Sequence, residues 1–284
     1  MTQTLLVLGH GYTACALSAR LLPDGWRIIG TTRSAEKAAR LVAQGIEPLV
    51  WPGDTLAPAL AESTHLLCSI GADAGGDPVL QRHAVEIAAA RGLKWAGYLS
   101  TTGVYGDHQG GWVDETTPLT PSTQRGRWRV LAENQWRALP GLPLHIFRLA
   151  GIYGPGRGPF EKVRDGTARL IVKPNQFMSR AHVDDIAAVL HASIGRPDPG
   201  AVYNVCDDEP TAPEVVLRHA ARLLGLPDPP SVPFERAEMS ALARSFYSES
   251  KKVRNGRIKS ALGVRLAYPT YREGLAALLA SGQP

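Results

Sequence analysis

The sequence predicts an α/β fold: a doubly wound parallel sheet with helices on both faces, followed by a smaller C-terminal substrate lobe. Three observations carry this prediction. Apolar runs of strand length alternate with stretches rich in Ala, Leu, Glu and Arg, which implies βαβ crossovers and a sheet covered on both faces. A glycine-rich turn directly follows the first apolar run. The 284 residues are enough for a substantial core without disulfides or metals, and 44% hydrophobic content argues against disorder.

Thr4–Leu8 (TLLVL) reads as the first strand, ending at Gly9, with a helix over Thr13–Leu22. Trp26–Gly30 is the second strand and Ser34–Gln44 the next helix. Ile46–Trp51 and His65–Ile70 are the third and fourth strands. A helix over Pro78–Arg91 leads to the fifth strand, Trp95–Ser100, and Leu144–Leu149 is the sixth. After about residue 155 the alternation loosens and proline becomes frequent; 227–235 (PDPPSVPFE) reads as loop or extended chain. Val202–Cys206 is a strand suited to return to the main sheet. Pro213–Leu224 and Thr270–Ala280 carry apolar residues near helical spacing. Residues 1–155 are thus mainly the first domain and 156–284 mainly the smaller lobe.

Gly9-His10-Gly11-Tyr12-Thr13-Ala14 fits G-x-G-x-x-A between a strand and a helix. One glycine makes the turn, the second admits a pyrophosphate, the small third residue allows close packing, and the helix N-terminus favours negative charge. This is the dinucleotide-binding turn of a Rossmann domain. An NAD-preferring site carries an acid after the second strand; here the chain reads Gly30-Thr31-Thr32-Arg33-Ser34, with no acid before Glu36. Arg33 can neutralise a 2′-phosphate, Ser34 can donate to it, and Lys37 lies one turn on, so NADP(H) is preferred over NAD(H). The alternative is that Arg33 is a solvated residue at a helix start.

The net charge is +5, but the basic residues are dispersed rather than arranged in a stripe, which excludes nucleic acid as the expected partner. Three scattered cysteines offer no metal-ligand spacing or disulfide framework. The TLLVL run is too short for a signal segment, and no apolar stretch approaches a membrane span. The expectation is a cytoplasmic protein with no metal and no membrane partner.

Eight short segments in order resemble the extended short-chain dehydrogenase/reductase superfamily, of the NAD(P)-dependent epimerase/dehydratase type. They are GHGYTA, Gly53-Asp54, LSTTGVYGD, DETTPLTP, FRLAGIYGPGR, SRAHVDDIA, YNVCDDEP and SKKVRNGRIKSALG. The resemblance implies a Rossmann domain, with cofactor and substrate meeting at the carboxyl ends of its strands. It implies that Asp54 contacts adenine and that Thr101, with Thr102 its neighbour, bonds the substrate oxygen. In that family a Tyr-x-x-x-Lys pair transfers the proton and holds the nicotinamide ribose. Aligned on Gly126, those positions are Arg125 and Arg129. The chain thus resembles an atypical subgroup without the catalytic tyrosine.

Arginine does not titrate in proteins and cannot donate the proton. Arg129 can still bond the ribose. Arg125 and Arg129, at i and i+4 on one helix face, with Arg127 nearby, suit a carboxylate or phosphate; the alternative is a solvated arginine face. Tyr105 and Tyr153 are weaker candidates for the missing acid, and His182 with Asp184-Asp185 more plausibly organises the cleft. The candidate catalytic residues are Thr101, Arg125 and Arg129. Those for the cofactor are Gly9, Gly11, Tyr12, Thr13, Thr32, Arg33, Ser34, Asp54, Ser69 and Arg129. Two functions follow: an oxidoreductase or epimerase-like enzyme for a small anionic or nucleotide-linked substrate, or a non-catalytic NADP(H)-binding sensor. Trp128, Val130, Leu131 and Trp136 on the same helix suit either a homodimer interface or the core.

Overall fold

The aliphatic run Thr4–Leu8 forms strand β1 at the centre of the sheet, and none of its residues is more than 4% exposed. In this computed structural model, which describes residues 3–282, successive β1 side chains point to opposite faces. Leu5 and Val7 enter one hydrophobic core; Leu6 and Leu8 enter the other. Each such side chain contributes about 1.5–3 kcal/mol by leaving water. A strand buried on both faces needs this unbroken apolar run, as a central parallel strand does.

Around β1 stand β2 (Arg27–Thr32), β3 (Glu47–Val50), β4 (His65–Cys68) and β5 (Trp95–Thr101). With Leu144–Leu149 and Val202–Val205 they make a seven-stranded sheet. Its order is Val202–Val205, Leu144–Leu149, β5, β4, β1, β2, β3, and every pairing is parallel. The order reverses between β1 and β4, which opens a crevice at their carboxyl ends. Helices α1 (Tyr12–Leu21), α2 (Ala35–Ala43), α3 (Ala57–Glu62), α4 (Leu80–Ala89) and α5 (Gln124–Arg137) cover the sheet with Val183–Gly195, which packs on α1.

Three features depart from the sequence reading. Strand β2 extends two residues further, to Thr32, so Thr31 and Thr32 are held on the sheet. Helix α3 and a 3₁₀ turn at Thr102–Tyr105 were not anticipated. Small two-stranded pairs also form: Gly151–Tyr153 with Arg180–His182, Leu170–Val172 with Ser231–Pro233, and Trp112–Val113 with Lys252–Val253. The last draws the chain near residue 250 back beside the main sheet. Among the described residues no helix is long and apolar enough to cross a membrane.

Candidate functional site

Gly9 turns the chain from β1 towards α1 with φ +83°. A Cβ at this position would lie 2.6 Å from Ile70 Cγ1, so glycine is required both for the backbone and for the close approach. The loop is pinned to β2: Gly9 N–H donates to Thr31 Oγ1 at 2.7 Å and His10 N–H to Thr31 O at 2.9 Å. Gly11 caps α1 without a side chain, leaving first-turn N–H groups for an anion.

A groove of about 770 Å³ runs past this loop, with Thr32, Arg33, Ser34 and Lys37 on one wall and Trp51 and Arg82 on the other. Thr32 Oγ1 is buried without a hydrogen-bond partner. Among the described residues Arg33 and Lys37 bring unengaged side-chain cations to the same groove. Unsatisfied donors and cations beside a helix N-terminus fit a phosphorylated dinucleotide. Ser34 caps α2, its Oγ accepting from Lys37 N–H at 3.3 Å.

Asp54 is not part of this lining. Its carboxylate accepts from Val50 N–H at 2.7 Å, and Trp51, whose Nε1 lies 3.0 Å from His83 Nε2, forms the wall instead. Tyr12 also points elsewhere, donating to Pro155 O at 3.0 Å and holding that turn against α1. The His10 ring is fully buried, with Nε2 2.9 Å from Ser18 Oγ. Burial, helped by Lys37, lowers its pKa to about 4, so it is neutral near pH 7.

Ser69 and Gly71 also line a second cleft, of about 590 Å³, so the two meet at these residues. Thr13, Thr101, Arg125 and Arg129 all line this cleft. Thr101 caps the 3₁₀ turn, its Oγ1 accepting from Gly103 N–H at 3.1 Å. Arg129 Nη1 donates to Leu99 O at 2.8 Å, Tyr98 Oη at 3.0 Å and Ile70 O at 3.3 Å. It thereby ties α5 to the ends of β4 and β5. Arg125, one turn earlier, is exposed in the cleft. Arg127 turns away, bonding Ser122 O at 3.0 Å and Gln124 Oε1 at 2.9 Å, and does not join them.

The base of the cleft is a buried polar chain. Ser100 Oγ donates to Glu133 Oε1 at 2.5 Å. Glu133 takes two bonds from Arg148, at 3.1 and 2.8 Å. Arg148 Nη1 then donates to Tyr105 Oη at 3.0 Å, and Tyr105 donates to Asn204 Oδ1 at 2.7 Å. Tyr105 is therefore a fully buried structural link, its pKa raised by burial. Tyr153 packs against His182 and likewise has its pKa raised by burial. Neither lines the cleft. His182 caps the Val183–Gly195 helix, and Asp185 accepts from Ala267 N–H at 2.7 Å and Tyr268 N–H at 3.0 Å; this motif organises the backbone.

Two lining residues escaped the sequence reading. Glu249 and Lys251 enter the cleft beside Ser245 and Phe246. Lys251 Nζ donates to Glu249 Oε2 at 2.7 Å and to Gly106 O at 2.8 Å, while Ser122 Oγ donates to Glu249 Oε1 at 2.6 Å. Lys251 falls in a motif already singled out, SKKVRNGRIKSALG, and Glu249 lies just before it, but the spacing there does not reveal which side chains turn inward. Among the described lining residues there is no tyrosine or histidine, so these two are its titratable groups apart from the arginines.

Over 283 residues the chain is 32% identical to Protein YeeZ from Escherichia coli K12, covering 94% of this chain and 97% of YeeZ. The chain belongs to the same family as YeeZ. This family member is also 26% identical, over 97% of its own length and 94% of the relative's, to a 3-diazoavenalumate denitrifying reductase from Streptomyces. A solved structure of a conserved protein of unknown function from Silicibacter pomeroyi is 62% identical, with TM-score 0.96 over the whole of both chains. The UDP-glucuronic acid 4-epimerase of Bacillus cereus, solved with NAD, superposes with TM-score 0.77 over 97% of each chain at 14% identity. The fold is thus the Rossmann-like α/β fold that this epimerase also has, in line with the expected parallel sheet. No protein-family model matches the chain.

Proposed function

We propose that this YeeZ-family protein is an NADP(H)-dependent oxidoreductase, of an atypical subgroup without the catalytic tyrosine, acting on a small anionic molecule. The observation that carries this reading is the meeting of groove and cleft at Ser69 and Gly71. A dinucleotide lying along the groove ends where the substrate cleft begins. Arg33 and Lys37 supply charge for a 2′-phosphate at one end. Arg125 and Arg157 supply it for an anionic substrate at the other, over the Arg129 anchor. A nicotinamide cofactor, when bound, supplies the hydride chemistry. Around it, Thr101 is placed to bond a substrate oxygen and Arg129 to hold the ribose.

Reduction suits the site better than epimerisation, which needs a base for a substrate hydroxyl as well as an acid. The reductase relative supports that choice, while the NAD-bound epimerase neighbour keeps the epimerase chemistry as the comparison. A reducing cytoplasm suits the three free thiols. Leu131, 41% exposed on α5, is where a second copy would pack; Trp136 is buried in the core. Sedimentation at two concentrations would detect such a dimer.

The missing tyrosine also favours a second reading, a sensor that binds NADP(H) without turnover. Fluorescence titration decides the cofactor. NADPH should bind at least tenfold more tightly than NADH, and Arg33→Ala should weaken NADPH about tenfold or more while NADH changes less than twofold, since a charge-assisted bond contributes about 1.5–3 kcal/mol. Equal losses would remove the NADP(H) preference. NADPH binding without oxidation across carbonyl and nucleotide-sugar acceptors would support the sensor.

A further inference from the structure

A reductase acting on a carbonyl must protonate the oxygen that receives the electron pair, and this cleft has no tyrosine to do so. Guanidinium groups do not release protons near neutral pH, which sets aside Arg125, Arg129 and Arg157. Lys251 and Glu249 remain. They line the same cleft as Thr101, and its volume of about 590 Å³ suits a small-molecule site. Their side chains are each 10% exposed, and both residues line the cleft.

We propose that Lys251, charged and held by Glu249, is the general acid of this cleft in place of tyrosine. The role rests on the oxidoreductase reading and names the group that completes it. Two of the three ammonium N–H bonds are committed, to Gly106 O and Glu249 Oε2; the third is free for a substrate oxygen. These two bonds fix the nitrogen in space, as a positioned acid requires. Glu249 is itself fixed by Ser122, so it holds the ammonium in one place. The other charges facing the pair are Asp107, which accepts from Ser250 N–H at 2.7 Å and interacts with Lys251 and Lys173, and Arg125 across the cleft. Lys252, next in the chain, turns to the Phe177 ring instead.

The step balances simply. A bound reduced nicotinamide would supply hydride to the substrate carbon, and the C=O π pair would move to oxygen. The free N–H bond of Lys251 breaks, its electrons stay on nitrogen, and an O–H bond forms. Lys251 is left as a neutral amine and regains a proton from solvent.

The test uses the full chain with NADPH and three acceptors: 9,10-phenanthrenequinone, 4-nitrobenzaldehyde and pyruvate. Lys251→Arg keeps the charge and the bonds to Gly106 and Glu249 but cannot titrate. It should lower kcat about 100-fold, the scale of a lost general acid, with KM within threefold. Its melting temperature and NADPH affinity should match the wild type. Glu249→Gln weakens the charge-assisted bond that holds the ammonium in place and should also lower kcat, by less than Lys251→Arg. The proposal is overturned if Lys251→Arg keeps kcat within threefold, and the oxidoreductase reading then survives. A wild type that binds NADPH but reduces none of the acceptors overturns both.

Discussion

The groove beside the glycine loop and the cleft beyond it meet at Ser69 and Gly71, yet they are assembled differently. The loop side of the groove comes from short pieces of chain just past β1 and β2, including Gly9–Gly11 and Thr31–Lys37. The cleft gathers chain from Leu99–Gly103, Thr123–Arg129, Leu149–Ile152, Phe177–Ser179 and the region from Ser245 to Val253. One is local and anchored to strand ends; the other depends on long-range closure. A change that loosens tertiary packing should therefore damage the cleft before the groove.

The largest expected effect is Glu133→Ala. It strands the Arg148 guanidinium, whose side chain is 4% exposed, without its carboxylate, and breaking such a buried pair costs about 3–5 kcal/mol. Thermal unfolding measures it. A loss below about 1 kcal/mol, the scale of an exposed ion pair, would mean that the polar chain does not support the cleft.

A smaller effect, on the groove side, comes from His10. Its folded pKa, lowered to about 4 by burial, lies below the ordinary value of about 6.5. As pH falls through 6.5 the unfolded chain takes up the proton and the folded chain does not, so stability declines towards pH 4. At pH 5 this amounts to about 2 kcal/mol. Melting curves from pH 7.5 to 5 should show the decline, and His10→Asn should flatten part of it. An equal slope in the variant would assign the effect elsewhere, His65 being the next buried histidine with a pKa lowered to about 4.

The smallest effect sharpens the comparison directly. A Cβ at Gly126 would lie 2.8 Å from Pro121 Cβ and 2.9 Å from Gly103 O. Alanine there gains about 1 kcal/mol of helix propensity but forces α5 away from the turn at Thr102–Tyr105, at about 1–3 kcal/mol. The net loss should be about 1 kcal/mol in urea unfolding. NADPH affinity should change less than substrate turnover. The reverse pattern would contradict the separation of groove from cleft.

The legible parts of this protein are those in which one segment states its own environment. TLLVL declares a strand buried on both faces, and Gly9-His10-Gly11 declares a turn that only glycine completes. Arg33 follows the second strand closely enough for its wall to be assigned from order alone. Asp54 shows the limit: its position in the chain suits adenine, but its carboxylate bonds Val50 N–H in its own turn. Arg127 shows it again, sharing a helix with Arg125 and Arg129 yet bonding Ser122 and Gln124. The two-residue pairing of Lys252–Val253 with Trp112–Val113 is too short to leave a periodic signal.

By itself the sequence determined the sheet and the glycine turn after its first strand, because apolar periodicity and glycine geometry are local properties. Only the tertiary structure decided that Tyr105 and Tyr153 are buried away from the cleft and that Glu249 and Lys251 line it. Those facts depend on contacts between segments far apart in the chain, 145 residues in the case of Lys251 and Gly106. Burial and hydrogen-bond partners arise from such contacts, and no spacing along the sequence encodes them.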